Sequence, residues 1–224
     1  MLKFEIKPKN LDDFFLSIRK KKNFKAMAVT MPYKKAVIKY LDALNDFAKK
    51  SKSVNLIVKN KNKLKGYNTD IFGAISTIKI FINNYDKIII LGLGGTGQAI
   101  FNYLFSRYKK RFLLISEKFR FKKKEKIQIS RSIKIKDISK PCLIINCTPV
   151  GSNLKKKYIN KFPIKKNILS YINNKSVIFD IVYAPKKTIL SKYCSKNKIK
   201  YINGLKMNTL QAQKALQIAF ASKI

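Results

Sequence analysis

The sequence predicts an α/β fold in two parts: a small α/β unit over residues 1–71, and a larger unit over residues 72–203 built on a doubly wound parallel sheet. Three observations predict it. Lys87-Ile88-Ile89-Ile90-Leu91 is a short, almost wholly apolar run, as a strand buried on both faces of a parallel sheet must be. A glycine-rich turn and a segment of helical periodicity follow it at once. Further buried strands are expected at Phe112 to Ser116, Leu143 to Cys147, Val177 to Asp180 and Lys200 to Asn203, and their alternation with helices argues a doubly wound sheet.

The elements follow in order. Leu2 to Lys7 alternates apolar and polar residues and reads as a strand. Asn10 is placed to cap a helix whose apolar face is Leu11, Phe14, Phe15 and Ile18. Ala26 to Thr30 reads as a short strand stopped at Pro32. Lys34 to Lys50 has helical periodicity through Val37, Tyr40, Leu41, Leu44 and Phe47. Val54 to Val58 and Leu64 to Tyr67 read as a strand pair around the polar turn 59–62, and Asp70 to Phe81 as a helix. After the strand at 87–91, Gln98 to Tyr108 is helical through Ile100, Tyr103 and Leu104, and Gln211 to Ala221 closes the chain as a helix. The segment from Gly204 is expected to return to the first unit.

Composition removes several function classes. The chain has no histidine, which excludes Ser-His-Asp hydrolysis, His-based metal sites and imidazole acid–base chemistry. Proton transfer must then fall to Lys, Asp, Glu, Tyr or Cys. The cysteines are Cys142, Cys147 and Cys194, an odd number at spacings that fit neither a zinc site nor a disulfide framework. The net charge of +39 suggests nucleic acid, but only five of the 50 basic residues are Arg, and Lys is scattered along the whole chain. Phosphate and base recognition favours guanidinium groups in a stripe with aromatics between them. The charge therefore reads as solvated surface, with no specific nucleic-acid partner. No apolar run approaches the roughly 18 residues of a membrane helix, and the start MLKFEIKPKN carries Glu5 where a signal peptide would be apolar. A cytoplasmic protein, monomer or homodimer, acting on a small molecule is expected.

Gly92, Gly94 and Gly97 stand at G-x-G-x-x-G spacing directly after a strand and before a helix. The first glycine allows a tight turn, the second lets a pyrophosphate approach the backbone, and the third lets helix and strand pack closely. The helix N-terminus adds unpaired N–H groups and the positive end of the helix dipole. Gly92, Leu93, Gly94, Gly95 and Thr96 are thus candidate dinucleotide contacts, which makes the larger unit Rossmann-like. Glu117 lies twenty residues beyond Gly97 at the end of the next strand, next to Ser116. An acid there accepts from a ribose 2′-OH and repels a 2′-phosphate, whereas Lys118, Arg120 and Lys122 close by would attract one. The spacing leaves both NAD and NADP open.

Seven short motifs then carry a resemblance. Val29-Thr30-Met31-Pro32-Tyr33-Lys34 resembles N-V-T-x-P-x-K, Val54-Asn55 resembles A-V-N-T, and Gly66-Tyr67-Asn68-Thr69-Asp70 resembles G-x-N-T-D. Gly92 to Thr96 resembles G-A-G-G-A, Asn146 to Gly151 resembles N-x-T-P-x-G, and Asp180 to Pro185 resembles D-x-V-Y-x-P. Gly204 to Met207 with Leu210-Gln211-Ala212 resembles G-x-x-M-L-x-x-Q-A. In order and spacing these are the motifs of the shikimate dehydrogenase family, from about Phe4 to the C-terminus. The resemblance implies reversible, NADPH-dependent reduction of 3-dehydroshikimate to shikimate, or in an NAD-using variant the related quinate and shikimate chemistry. It implies that Lys34 is the proton donor and acceptor, paired with Asp70. It also implies that Thr30, Asn55, Asp70, Tyr183 and Gln211 hold the substrate, and that Ile181 and Gly204 line the nicotinamide pocket.

The implied chemistry is sound without histidine. Hydride delivery to a ketone builds negative charge on oxygen, which an ammonium stabilises and then protonates. Neutral Thr, Asn and Gln side chains suit a polyol, because a missing hydroxyl would leave a buried group unpaired. The departures are specific. The family begins with a further strand–helix unit carrying an S-x-S pair that binds the substrate carboxylate. This sequence has no counterpart and reads as a shortened member, which leaves open a start codon placed too late, a degraded gene, or a true shortened variant with another substrate; a non-catalytic dinucleotide-binding remnant is the functional alternative. Ala26, Ala28, Leu56 and Ser152 replace the family's usual residues, and Ser116-Glu117-Lys118 stands where N-R-T grips the 2′-phosphate.

Overall fold

The computed structural model describes residues 5–30, 32–116 and 126–221. Two compact units emerge, one formed by Met1–Thr69 with Ala212–Ile224 and the other by Asp70–Gln211. The elements in chain order are α1 (Leu11–Lys20), β1 (Ala26–Ala28), β2 (Ala43–Leu44), α2 (Asp46–Ser51), β3 (Leu56–Asn60), β4 (Lys63–Tyr67) and α3 (Thr69–Ile82). They continue with β5 (Lys87–Leu91), α4 (Gly95–Arg107), β6 (Arg111–Ile115), β7 (Ile127–Ser130), α5 (Ile135–Ile138), β8 (Leu143–Asn146), β9 (Val177–Asp180), α6 (Ile189–Lys196), β10 (Lys200–Asn203) and α7 (Leu205–Ala221).

The first unit has a four-stranded sheet in the order β1-β3-β4-β2. β3 pairs antiparallel with β1 and with β4, and β2 joins β4 in parallel. β3 and β4 form a tight hairpin in which Asn60 faces Lys63, so Lys61 and Asn62 make the turn. Lys61 takes a positive φ of 54° there. Leu11, Phe15 and Ile18 of α1 pack into a core with Val54, Ile57 and Leu64. Phe15 stacks on Tyr40 with ring centroids 4.3 Å apart. Lys59 is buried, yet its ammonium is satisfied: it donates to the carbonyls of Ile18, Arg19 and Lys21 at the end of α1.

Three expectations for this unit need correction. The strand at Leu2 to Lys7 is described only from Glu5, and Glu5 to Lys7 carry no regular structure. Asn10 occupies the N-cap position of α1 but makes no side-chain cap; a 3₁₀ turn at Pro8–Asn10 leads into the helix instead. The single helix expected over 34–50 is a 3₁₀ turn at Ala36–Tyr40, the short strand β2 and then α2. Local side-chain acceptors explain the break. Asp42 takes the Leu64 N–H at 2.7 Å and pairs with Arg19 at 2.9 Å, tying this segment to β4. Those hydrogen bonds hold the Asp42 carboxyl below its ordinary pKa, Arg19 being the larger cause. Asn45 Oδ1 then caps α2 by accepting from Ala48 N–H at 2.9 Å.

The second unit holds a six-stranded sheet in the order β10-β9-β8-β5-β6-β7, with every pairing parallel. The fold is α/β, with this sheet Rossmann-like. β8 and β9 are buried along their whole length, and β5 is buried beyond Lys87. This is why their sequences read as unbroken apolar runs. Counted from β5, the strands run 3-2-1-4-5-6 across the sheet, so the winding reverses between β5 and β8. In such sheets ligands bind outside the carboxyl ends of the strands at that reversal. β7 is an edge strand the sequence reading did not isolate, and α7 begins at Leu205, ahead of the expected Gln211.

Candidate active site

The carboxyl end of β5 runs into the glycine turn. Gly92 has φ +83°, a left-handed conformation that glycine adopts without strain, and its N–H donates to Ile115 O at the end of β6 (2.9 Å). A Cβ on Gly92 would lie 2.7 Å from Thr148 Cγ2, so the turn is pressed against the loop that follows β8. A Cβ on Gly97 would lie 2.0 Å from the Gly92 carbonyl oxygen, so α4 can start this close to β5 only with glycine there. Gly94 and Gly95 differ: a Cβ on either would meet nothing within 4 Å. No side chain caps α4 at Gly94. The turn is therefore tight beneath and open above Gly94 and Gly95, and a helix N-terminus there suits an anionic group. These residues fit the diphosphate of a dinucleotide.

The other side of the reversal is held by a buried polar cluster. Asn146, the last residue of β8, accepts at Oδ1 from Thr148 N–H (3.0 Å) and Thr148 Oγ1 (2.7 Å). Its Nδ2 donates to Asp180 Oδ1 at 2.9 Å. The same Asp180 oxygen accepts from Val182 N–H at 3.0 Å, and Oδ2 accepts from the Tyr201 hydroxyl at 2.9 Å. Asp180 is 1% exposed, and burial pushes its carboxyl up to about 6. Burial also pushes the Tyr201 hydroxyl and the Cys147 thiol upward. Ile181 N–H donates to Asn146 O (3.1 Å) and Gly204 N–H to Val182 O (3.1 Å). A Cβ on Gly204 would lie 2.1 Å from Ile181 O, so only glycine lets the start of α7 pass so near the loop after β9. Ile181 and Gly204 are thereby neighbours, with Ile181 half-buried and Tyr183 48% exposed.

The remaining candidates divide between the units. In the first, Thr30 is exposed just after β1, and Lys34 is half-buried. The backbone of Lys34 is fixed beside Asn55, since Lys34 O accepts from Val54 N–H at 2.8 Å. Asn55 is itself anchored: its carbonyl takes Val29 N–H at 2.8 Å, and its Oδ1 takes Thr69 N–H at 2.7 Å. Its Nδ2 donates to Thr69 Oγ1 at 2.9 Å. The first unit thus brings Thr30, Lys34 and Asn55 together around the β1 and β3 backbones. In the second, Asp70 lies in the first turn of α3. A Cβ on Gly73 would lie 2.4 Å from Met207 O and 3.1 Å from Gln211 Cβ, so α3 and α7 cross closely there and Gln211 packs at Gly73, three residues along α3 from Asp70. Ser116 directly follows β6, its N–H donating to Ser130 O at 3.0 Å, and Glu117 lies outside the described residues. The sequence reading quoted Asn146 and Asp180 in motifs without giving them a task, and it missed Tyr201; only the Asn and Asp ending two buried apolar strands signalled them.

Comparison with known proteins bears on this arrangement. A family model described as "Shikimate dehydrogenase substrate binding domain" matches residues 1–57. A shikimate dehydrogenase (NADP(+)) of Clostridium botulinum is 35% identical over 95% of this chain and 82% of its own. The chain belongs to the shikimate dehydrogenase family. A shikimate dehydrogenase (NADP(+)) of Clostridium beijerinckii is 36% identical over 96% of this chain and 78% of its own. Among solved structures, a shikimate 5-dehydrogenase from Listeria monocytogenes in complex with shikimate and NAD matches with a TM-score of 0.79 and 26% identity. That match covers 97% of this chain and 80% of the other. As a member of the shikimate dehydrogenase family, the chain has its glycine turn and its Asn146–Asp180 cluster at the reversal point of the family's dinucleotide unit.

Among the described residues no group of His, Cys, Asp and Glu is placed to hold a metal ion, and no helix is long and apolar enough to cross a membrane. The three cysteines are buried and unbridged.

Proposed function

We propose that the protein is an oxidoreductase that reversibly reduces 3-dehydroshikimate to shikimate with NADPH, in the cytoplasm, as a monomer or homodimer and with no specific nucleic-acid partner. One observation carries the reading. The likeness to a shikimate dehydrogenase (NADP(+)) extends over 95% of the chain, so the substrate-side and the cofactor-side motifs fall within one match. Residues 1–71 form the substrate domain, residues 72–203 the cofactor domain, and the segment from Gly204 returns to the former.

Bound NADPH supplies a hydride to the carbonyl carbon of the substrate. The ammonium of Lys34 stabilises the charge that grows on the carbonyl oxygen and then gives up its proton there. Asp70 orients that ammonium. Asn55 contributes through the second hydrogen of Nδ2, the first being given to Thr69. Thr30, Tyr183 and Gln211 hold further hydroxyls. Gly92, Leu93, Gly94, Gly95 and Thr96 hold the diphosphate, Ser116 and Glu117 meet the adenosine ribose, and Ile181 and Gly204 line the nicotinamide. Glu117 supports a second reading, an enzyme that uses NAD, because its carboxylate repels a 2′-phosphate and suits a free 2′-OH.

Oxidation of shikimate by the purified protein, followed through the absorbance of reduced nicotinamide, tests both readings. Turnover is expected, and the Lys34→Ala variant should lose about 10²- to 10⁴-fold in kcat while still binding dinucleotide. Wild-type protein that binds dinucleotide without turnover would establish a non-catalytic remnant. Titration with NADP⁺ and NAD⁺ separates the cofactors, and tighter NAD⁺ binding would overturn the NADPH assignment.

A further inference from the structure

We infer that Asp180 is a positioning residue for the nicotinamide pocket: one of its carboxylate oxygens, Oδ1, sets the loop 181–183 against the glycine turn. The inference rests on the dehydrogenase reading above. A continuous chain of contacts carries it. The glycine turn presses on Thr148 at Gly92, and Thr148 is bound twice by Asn146 Oδ1, at 3.0 and 2.7 Å. Asn146 Nδ2 and Val182 N–H converge on Asp180 Oδ1 at 2.9 and 3.0 Å. Val182 lies between Ile181 and Tyr183, and its carbonyl receives Gly204 N–H at 3.1 Å. The oxygen therefore joins the pyrophosphate side of the pocket to the nicotinamide side.

The other oxygen has a different task. Among the described residues Oδ2 accepts from the Tyr201 hydroxyl at 2.9 Å, which belongs to β10 and contacts the Thr188 hydroxyl at 3.4 Å. The positioning contacts need an acceptor at Oδ1 and no negative charge. An amide oxygen can replace a carboxylate oxygen there, with its NH₂ turned to Tyr201. Removing the acceptor leaves Val182 N–H and the Asn146 amide unpaired in a buried site, and the loop must shift to satisfy them.

Asp180→Ala and Asp180→Asn separate this from a purely structural role. Asp180→Ala should lower kcat about 10- to 100-fold, the effect of a displacement of about 1 Å at a reacting centre. The Kd for NADPH should hold within about 3-fold, because the diphosphate contacts remain. The change in nicotinamide fluorescence on binding NADPH should be lost with kcat. Asp180→Asn should restore most of both. A carboxylate needed only for folding would change the unfolding temperature and leave kcat per folded molecule at the wild-type value, which would overturn the inference. Equal impairment of the Asn and Ala variants would also overturn it, since charge would then be the requirement. If Asp180→Ala does not fold, Asp180→Ser, whose oxygen falls short of the Oδ1 position, carries the same test. Wild-type protein without turnover would defeat the reaction reading alone; the fluorescence readout of the variants would still decide the positioning role. Absence of NADPH binding would defeat both.

Discussion

Asp180 is a carboxylate placed where water does not reach, and its titration has a consequence for stability. Burial lifts its carboxyl to about 6, above the value of 3.8 that it regains on unfolding. The folded protein therefore holds this proton more tightly than the unfolded chain does. The stabilisation from the proton is complete below about pH 4 and is lost as pH rises through about 6. A gap of about two pH units corresponds to about 3 kcal/mol at most. Denaturant unfolding of wild type and Asp180→Asn at a series of pH values should show it: between about pH 8 and pH 5 the wild type gains somewhat over 1 kcal/mol relative to the variant. A difference that stays constant with pH would show that Asp180 does not titrate in this range. Residues also mark the limit of what a sequence displays. Lys34 and Asn55 could be picked out only through their motifs, because lysine and asparagine are abundant in this chain. That Asn55 spends both ends of its amide on Thr69 depends on a turn that no local pattern encodes.

Elements were legible in proportion to how local their causes are. The strand at Val177–Asp180 agrees with its sequence signal, and β5 does as well, because burial on both faces leaves an apolar run that needs no further context. The strand at Lys200–Asn203 forms where expected but is not buried as expected, because it lies at the edge of the sheet and none of its four residues is enclosed. The segment 34–50 misled because its apolar periodicity is real, while Asp42 and Asn45 supply acceptors that interrupt a helix by taking the N–H groups of Leu64 and Asn68, distant in sequence. β7 was missed because it is a half-exposed edge strand, so Ile127 to Ser130 lacks the continuous apolar character of its neighbours. The glycine turn was legible as spacing, and the structure now separates its glycines by task. Gly97→Ala forces a Cβ to 2.0 Å from the Gly92 carbonyl and should cost roughly 1–3 kcal/mol of stability. Gly95→Ala has open space around its Cβ and starts a helix, so stability should hold or rise by up to about 1 kcal/mol. Its methyl group would occupy the anion cradle, so NADPH binding should weaken. Thermal unfolding together with dinucleotide titration of the two variants checks this, and parallel losses of stability in both would refute the division.

For the whole molecule, charge is the dominant long-range term. With 50 basic and 11 acidic residues, the net charge of +39 repels itself in any compact state. Pairs such as Lys87 with Asp137 at 2.9 Å and Arg19 with Asp42 at 2.9 Å use up acids that the chain has in short supply. Raising ionic strength from about 0.01 to 0.15 M shortens the screening length from about 30 to 8 Å. The unfolding temperature should rise with it, by about 2–4 °C for each kcal/mol recovered. A midpoint independent of salt would show that the unfolded chain is equally strained.

The strand order also sets a timetable for synthesis. β5 lies at the centre of its sheet yet is the first of the six strands to leave the ribosome. Its first flank is made when β6 appears, and its second only when translation reaches β8 at Leu143–Asn146. Until then Ile88 to Leu91 is a bare, sticky ribbon. The earlier unit waits longer still, because it also includes Ala212–Ile224 and cannot be completed until that segment, beyond all six strands, has been made.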